Sequence, residues 1–419
     1  MFLILQKHNI TSMAIPVYLY LVPFFPTSQS WRGGFFYDAV TAIMRAGRYD
    51  VRVIVSGDGA DYDYEGVKVY RFKPFTLGCS DFFSLFTDFF KKRAFARKLA
   101  EMGLCPQDIS VCHVHLVERL CFYGAWLKRR NPNCIVLAHH HWNGLYGYVG
   151  GRMARCSAVK AIEYVRLCRD YMSVDAHVFC SESCRSGFGK EYVNGEMRDL
   201  RATLPFSGLL PEMRYRNSVV CYNGVDATIF STRGMERKAD NVFRIGCVAN
   251  YIPCKSQITL IKAFARVCTE MPEAELVFIG TGKTREMCQQ WAADNGVSER
   301  IFFRNEIPHL ELEAFYKSLS LYVLPSCLEA FNCSLVEAWA CGVPCMATDA
   351  ISFKEVLPQE EWDKWLFPAK DEEALAKKLL WAYKKRPTRQ RLSRNVDIDI
   401  ITKGFLDWVN DQITKSRTS

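Results

Sequence analysis

Residues 324–344 read LPSCLEAFNCSLVEAWACGVP, and they set two carboxylates, Glu329 and Glu337, in an otherwise apolar or small-residue stretch. The run leading into it, LSLYVLPS, is short, apolar and stopped by Pro325, the pattern of a buried strand. The run after it, SLVEAWACG, reads as a helix closed by Gly342 and Pro344. Ser334 is expected at its N-cap and Glu337 as its third residue, a reciprocal pair that satisfies two free backbone N–H groups. Glu337 therefore has a local explanation beside a ligand-binding one. Glu329 has only the second. A carboxylate in the loop after a strand, next to a helix N-terminus, sits where sugar hydroxyls and phosphates are held: its oxygens accept from paired hydroxyls, and the helix end attracts anions.

Outward from this stretch the same alternation repeats. VYLYLVPF, DVRVIVSG, ISVCHVHL and CIVLAHHH lie early in the chain, FRIGCVAN, AELVFIGTG, RIFFRN and LSLYVLPS late, with helix-length amphipathic segments between them. Strands separated by helices give βαβ units and parallel sheets. The expected fold class is α/β with two doubly wound, Rossmann-like domains facing a cleft, and ligands at the carboxyl ends of the strands. The polar segment DATIFSTRGMERKADNVF, 226–243, has no apolar period and is the candidate linker. Upstream of the glutamates, GCVANYIPCKSQITLIKAFARV (246–267) runs from strand through loop to helix and carries Lys255 in the loop, where a lysine can neutralise a diphosphate. Taken alone, Lys255 also reads as a solvated surface lysine.

Four motifs, PSCLEAFNCSLVEAWACGVPCMATD, NGVDATIF, CKSQITLIKAF and VFIGTG, together resemble the retaining, nucleotide-sugar-dependent glycosyltransferases of the GT-B fold known as family 4. The resemblance covers nearly the whole chain. It implies a domain over 1–230 on the acceptor side, a nucleotide-sugar-binding domain over 231–400, and a C-terminal helix, 401–419, that packs back on the first domain. It implies that Glu329 lies against the donor sugar, that Glu337 holds the ribose hydroxyls, and that Lys255 contacts the diphosphate. The donor would be UDP- or GDP-linked, with no cofactor and no metal. Phe331, Asn332, Cys333 and Ser334 fall in the donor loop by the same alignment, and Arg304, Asn305 and Glu306 in the segment that reads the base. The chain departs from the pattern at Asn250, where many relatives carry a phosphate-binding arginine, at Ala330, and at Ile351-Ser352.

On the N-terminal side Gly33-Gly34 stands at a loop-to-helix junction, where glycines let a backbone approach phosphate or sugar and where relatives place a glycine-rich loop. Trp31 and Arg32 flank it. Five of eight histidines cluster in two strand ends, His113 and His115 in VCHVHL and His139, His140 and His141 in LAHHHWNG. A metal site is set aside because neighbours on a strand face opposite ways and the fold works without one. Alignment places His140 against the donor sugar as a catalytic residue beside Glu329 and Lys255, with His139 and His141 in competition if the register slips. Ser181 matches a strand-end serine on the acceptor side.

The chain of 419 residues is 49% apolar and 24% charged, a globular composition too long for one ordinary core. Its 18 cysteines contain no CxxC pair, which favours a reducing cytoplasm, and Cys180, Cys184, Cys341 and Cys345 read as small buried residues. The apolar run 13–26 is too short to span a bilayer and carries Pro16 and Pro23. Net charge is +9, with 28 Lys/Arg against 20 Asp/Glu in residues 1–230, out of 54 and 45 overall. Residues 81–103 gather Phe82, Phe83, Phe86, Phe89 and Phe90 beside Lys91, Lys92, Arg93, Arg97 and Lys98. That is either an interfacial anchor at the cytoplasmic face of a membrane or an ordinary packed helix. No nucleic-acid motif accompanies the charge. The expected reaction is glycosyl transfer with retention onto a glycan or lipid-linked acceptor, in cell-surface polysaccharide or glycolipid synthesis. A sugar-nucleotide epimerase of the same fold and a non-catalytic sugar-nucleotide-binding subunit are the alternatives.

Overall fold

The computed structural model describes residues 15–73, 87–115, 117–142, 157–193, 196–234, 241–350 and 352–418. Two parallel sheets organise them. The first contains β1 (Val17–Val22), β2 (Asp50–Ser56), β3 (Tyr62–Tyr64), β4 (Val67–Phe72), β5 (Ile109–His115), β6 (Ile135–His140), β7 (Ala176–Phe179) and, after a separate hairpin of β8 (Lys190–Val193) with β9 (Glu196–Asp199), β10 (Ser218–Val220). Its order is β10-β7-β6-β5-β1-β2-β4-β3, parallel except for the β3–β4 edge pair. The second contains β11 (Phe243–Val248), β12 (Ala274–Ile279), β13 (Ile301–Arg304), β14 (Leu321–Leu324), β15 (Cys345–Thr348) and β16 (Leu366–Phe367), in the order β13-β12-β11-β14-β15-β16.

Every sequence run expected to be a strand is one. β1 and β14 are buried along their whole length, because a central parallel strand is covered on both faces and needs apolar residues at successive positions rather than at alternate ones. In the second sheet the chain winds outward from β11 to β13, then returns beside β11 as β14 and winds the other way. The crevice above that reversal is where open α/β sheets bind ligands. Lys255 follows β11 and Glu329 follows β14, so the two flank it.

The segment read as a linker is anchored at its start. Asp226 is buried against Arg45 at 2.9 Å, and Phe230 packs between His309 and Tyr316. The chain leaves the first sheet here and returns beside the same point: Val225 N–H donates to Val396 O at 2.7 Å, and Ile398 N–H donates to Val225 O at 3.1 Å. Gly224 permits that approach, since a Cβ there would lie 2.6 Å from Ile398 Cα. The returning chain forms the Ile398–Thr418 helix, which lies on the Gly34–Arg45 helix through Arg45–Asp399 at 2.7 Å, Arg48–Asp407 at 2.6 Å and Tyr49–Asn410 at 2.8 Å. Its Phe405, Leu406 and Val409 complete the core of the first sheet.

Candidate functional site

Lys255 and Glu329 meet directly. Glu329 also accepts from Ser326 Oγ at 2.8 Å, and both side chains are mostly buried. Burial pulls the Lys255 ammonium down, but the Glu329 carboxylate more than offsets it, so the lysine stays charged with its pKa above the ordinary value. The site thus carries a fixed cation at the end of β11 whose counter-ion stands at the end of β14.

The helix beyond Glu329 spans Cys333–Ala340, and this corrects the sequence reading. Asn332, not Ser334, is the N-cap, and its side chain makes no capping bond. Ser334 lies inside the first turn and accepts from Tyr322 Oη at 2.7 Å. Glu337 is a turn further in and accepts from Tyr316 Oη at 2.7 Å. Glu337 therefore caps nothing; it is a buried carboxylate whose pKa burial raises to about 7, against the opposing pull of His309 and Tyr316. Both amide atoms of Asn332 and Oδ1 of Asn250 are buried with no hydrogen-bond partner among the described residues. Native interiors rarely leave such groups unpaired. Phe331 packs on Tyr222, and Cys333 Sγ lies 3.5 Å from Asn223 Nδ2.

The first domain closes on this site. Gly34 does not leave room for phosphate, as the glycine pair suggested; the ring of His309 fills its place, and a Cβ on Gly34 would stand 2.2 Å from His309 Nδ1. His309 Nε2 and Asp38 Oδ1 are 2.9 Å apart, both buried. Burial lowers the His309 pKa, Asp38 raises it further than burial lowers it, and the net direction is up. Gly33 forms the N-cap of the Gly34–Arg45 helix. Glu306 accepts from Ser30 Oγ at 2.6 Å, Thr281 Oγ1 at 2.8 Å and Arg32 at 3.3 Å, which ties the 30–32 loop to the loop after β13. Asn305 accepts from Arg285, while Arg304 is exposed. Ser181 is fully buried and donates to Ala330 O at 2.5 Å, a bond between the two sheets' loops.

His140 and its neighbours separate by face. His140 Nε2 bonds His177 Nδ1 at 2.8 Å and its ring stacks on Phe179 at 4.7 Å. His139 and His141 lie on the other face with His113 and His115. Asp38, His309 and Tyr316 were absent from the sequence reading. Asp38 left one signal, as the single acidic residue of GFFYDAVTAIMR, one helical turn after Gly34; His309 and Tyr316 left none.

Similar proteins bear on this geometry. Residues 231–397 match the family model described as Glycosyl transferases group 1. A stretch of 108 residues is 32% identical to the GDP-mannose-dependent alpha-(1-6)-phosphatidylinositol monomannoside mannosyltransferase of Mycolicibacterium smegmatis, covering 24% of this chain and only 28% of that relative. In three dimensions the chain superposes on the sucrose-phosphate synthase of Thermosynechococcus elongatus with a TM-score of 0.68 at 15% identity, covering 95% of this chain and all of the other. It superposes on the Anabaena protein HepE, solved in complex with UDP and glucose, with a TM-score of 0.64 at 15% identity, covering 94% of this chain and all of that one. The fold is GT-B. Lys255, Glu329, Asn332 and Glu337 all belong to the second domain, and the Gly34–His309 contact joins it to the first.

Proposed function

We propose that this chain is a retaining glycosyltransferase that moves a sugar from a UDP- or GDP-linked donor to a hydroxyl of a glycan or lipid-linked acceptor. The observation that carries the reading is the buried Lys255–Glu329 pair at the topological reversal, beside three unpartnered amide atoms of Asn250 and Asn332. As the bond to the anomeric carbon breaks, negative charge grows on the diphosphate. Lys255 and the N-terminal N–H groups of the Cys333–Ala340 helix stabilise it as preorganised charge and dipoles. Glu337, when ionised, accepts from the ribose hydroxyls. Glu329 faces the sugar, and ligand binding draws Lys255 partly from Glu329 to the phosphates. Asn250 contributes a neutral hydrogen bond where an arginine would bring charge. His140 is assigned the sugar end of the cleft, where any contact through Nε2 competes with its bond to His177.

No helix among the described residues is long and apolar enough to cross a membrane. In the Asp88–Glu101 helix Phe95 is buried, but Phe89 and Phe90 are exposed beside Lys92 and Arg93, which supports peripheral contact with an anionic surface. Phe82, Phe83 and Phe86 lie outside the described residues. Calorimetric titration with UDP, GDP and their sugars, followed by product analysis with and without acceptor, tests the proposal. Tight binding of one nucleotide with acceptor-dependent transfer is expected; binding of neither sinks it.

A further inference from the structure

The two strands carrying the histidines are adjacent, and their register sets His115 directly opposite His139. The argument that strand neighbours diverge holds for His139 and His140 but not across the pair. Residues two apart share a face, so His113 and His115 of β5 meet His139 at the end of β6 and His141 just beyond it. The four rings form a contiguous group: His113 and His139 stack at 5.1 Å, His139 and His141 at 4.1 Å, His115 and His141 at 5.1 Å. They line a cavity of about 40 Å3 between the sheet, the Gly34–Arg45 helix and the Ile398–Thr418 helix, and no carboxylate lines it.

We propose that His113, His115 and His139 bind a divalent transition-metal ion of the zinc type. Their ligating nitrogens already lie within 4.8 Å of one another. Two nitrogens bound tetrahedrally to one ion at about 2.0–2.1 Å are roughly 3.4 Å apart. His113 Nε2 and His139 Nδ1 stand at 3.1 Å, close to that spacing without an ion. His115 Nε2, His139 Nε2 and His141 Nδ1 are buried with no hydrogen-bond partner among the described residues. Of these, His115 Nε2 belongs to the proposed set and is free to ligate, while His115 Nδ1 and His141 Nε2 lie 2.8 Å apart, so His141 supports His115 from outside. Tyr18 Oη lies 2.8 Å from His113 Nδ1, the outer partner that orients a ligating histidine. All-nitrogen donors select a zinc-type ion over magnesium or calcium, which take oxygen. The cavity leaves room for one water as a fourth ligand.

The test uses untagged, chelator-stripped full chain titrated with Co2+, with visible absorption as the readout. The expected result is a tetrahedral cobalt spectrum saturating at one equivalent, erased by Zn2+ and untouched by Mg2+. His115→Asn and His139→Asn lose the spectrum, while His140→Asn, on the opposite face, keeps it. Because those variants can fail to fold, the wild type carries a second reading: X-ray absorption on the zinc-loaded protein should show three imidazole neighbours. A folded wild type without the cobalt spectrum, an oxygen-only shell, or a spectrum unchanged in folded His115→Asn and His139→Asn overturns the proposal.

Discussion

Replacing Glu337 by Gln separates a carboxylate kept for a ligand from one kept for the fold. Burial lifts its pKa from the ordinary 4.5 to about 7, with His309 and Tyr316 opposing the rise and Asp38 adding to it. At about 1.4 kcal/mol per unit, that rise makes the ionised form roughly 3 kcal/mol costly to the fold. Between the ordinary value and about 7 the folded chain holds a proton that the unfolded chain has released, so stability falls as pH rises through that window and stays low above it. Gln is neutral throughout and still accepts from Tyr316. Glu337→Gln should therefore leave stability near wild type at about pH 5 and raise it by up to about 3 kcal/mol at about pH 8, measured by urea unfolding at both. Nucleoside diphosphate affinity should move the opposite way: in wild type it rises as Glu337 ionises, and in Glu337→Gln that part of the rise is missing, leaving only the ligand's own phosphate titration. A variant whose gain in stability over wild type is no larger at the higher pH than at the lower, or that binds nucleotide with the wild-type pH profile, refutes the reasoning.

Lys255→Ala should weaken nucleoside diphosphate binding by more than about 1.5 kcal/mol in calorimetric titration. It should also destabilise the chain by leaving the buried Glu329 without its counter-charge, a loss that adding Glu329→Ala recovers without restoring binding. Gly34→Ala drives a Cβ into the His309 ring, so unfolding free energy should drop by about 1–3 kcal/mol and turnover should fall with it; an unperturbed melt would show that this contact yields freely. Exchanging Lys91, Lys92 and Arg93 for glutamate should abolish sedimentation with anionic liposomes and spare transfer to a soluble acceptor. If wild type never sediments, the exposed Phe89 and Phe90 serve something else.

The sheets were legible because long parallel strands write themselves as apolar runs closed by Gly, Pro or Asn. The β3–β4 edge pair was not: DYDYEGVKVYRF alternates tyrosine and valine with charge around a turn, and an edge strand wet on one side never shows an unbroken apolar run. That Lys255 and Glu329 come together was legible for the same reason as the sheets, since their loops follow adjacent strands directly. The capping box failed because the N-cap is Asn332, two residues before Ser334, and a shift of two residues turns every side chain by about 200° around the axis. Gly34 was expected to make room for phosphate or sugar, whereas its neighbour is His309, which comes from 275 positions along the chain and leaves no local trace. The histidine face was missed because alternation was applied along one strand without the register to its neighbour.

The chain's outward and returning passes, bonded to each other at Val225 and flanking Gly224, make the joint between the domains two strands wide. A joint of one strand lets a body swing and twist in any direction. Two strands side by side resist twist and leave bending about the line through both as the easy motion, as in a door hung on a strip. Asp38–His309, Ser181–Ala330 and Ser30–Glu306 fasten the two domains beyond that joint. Cutting the returning pass, by ending the chain before Ile398, would leave the first domain without its closing helix and the joint without its second strand, and the fastenings would then have to find one another by search.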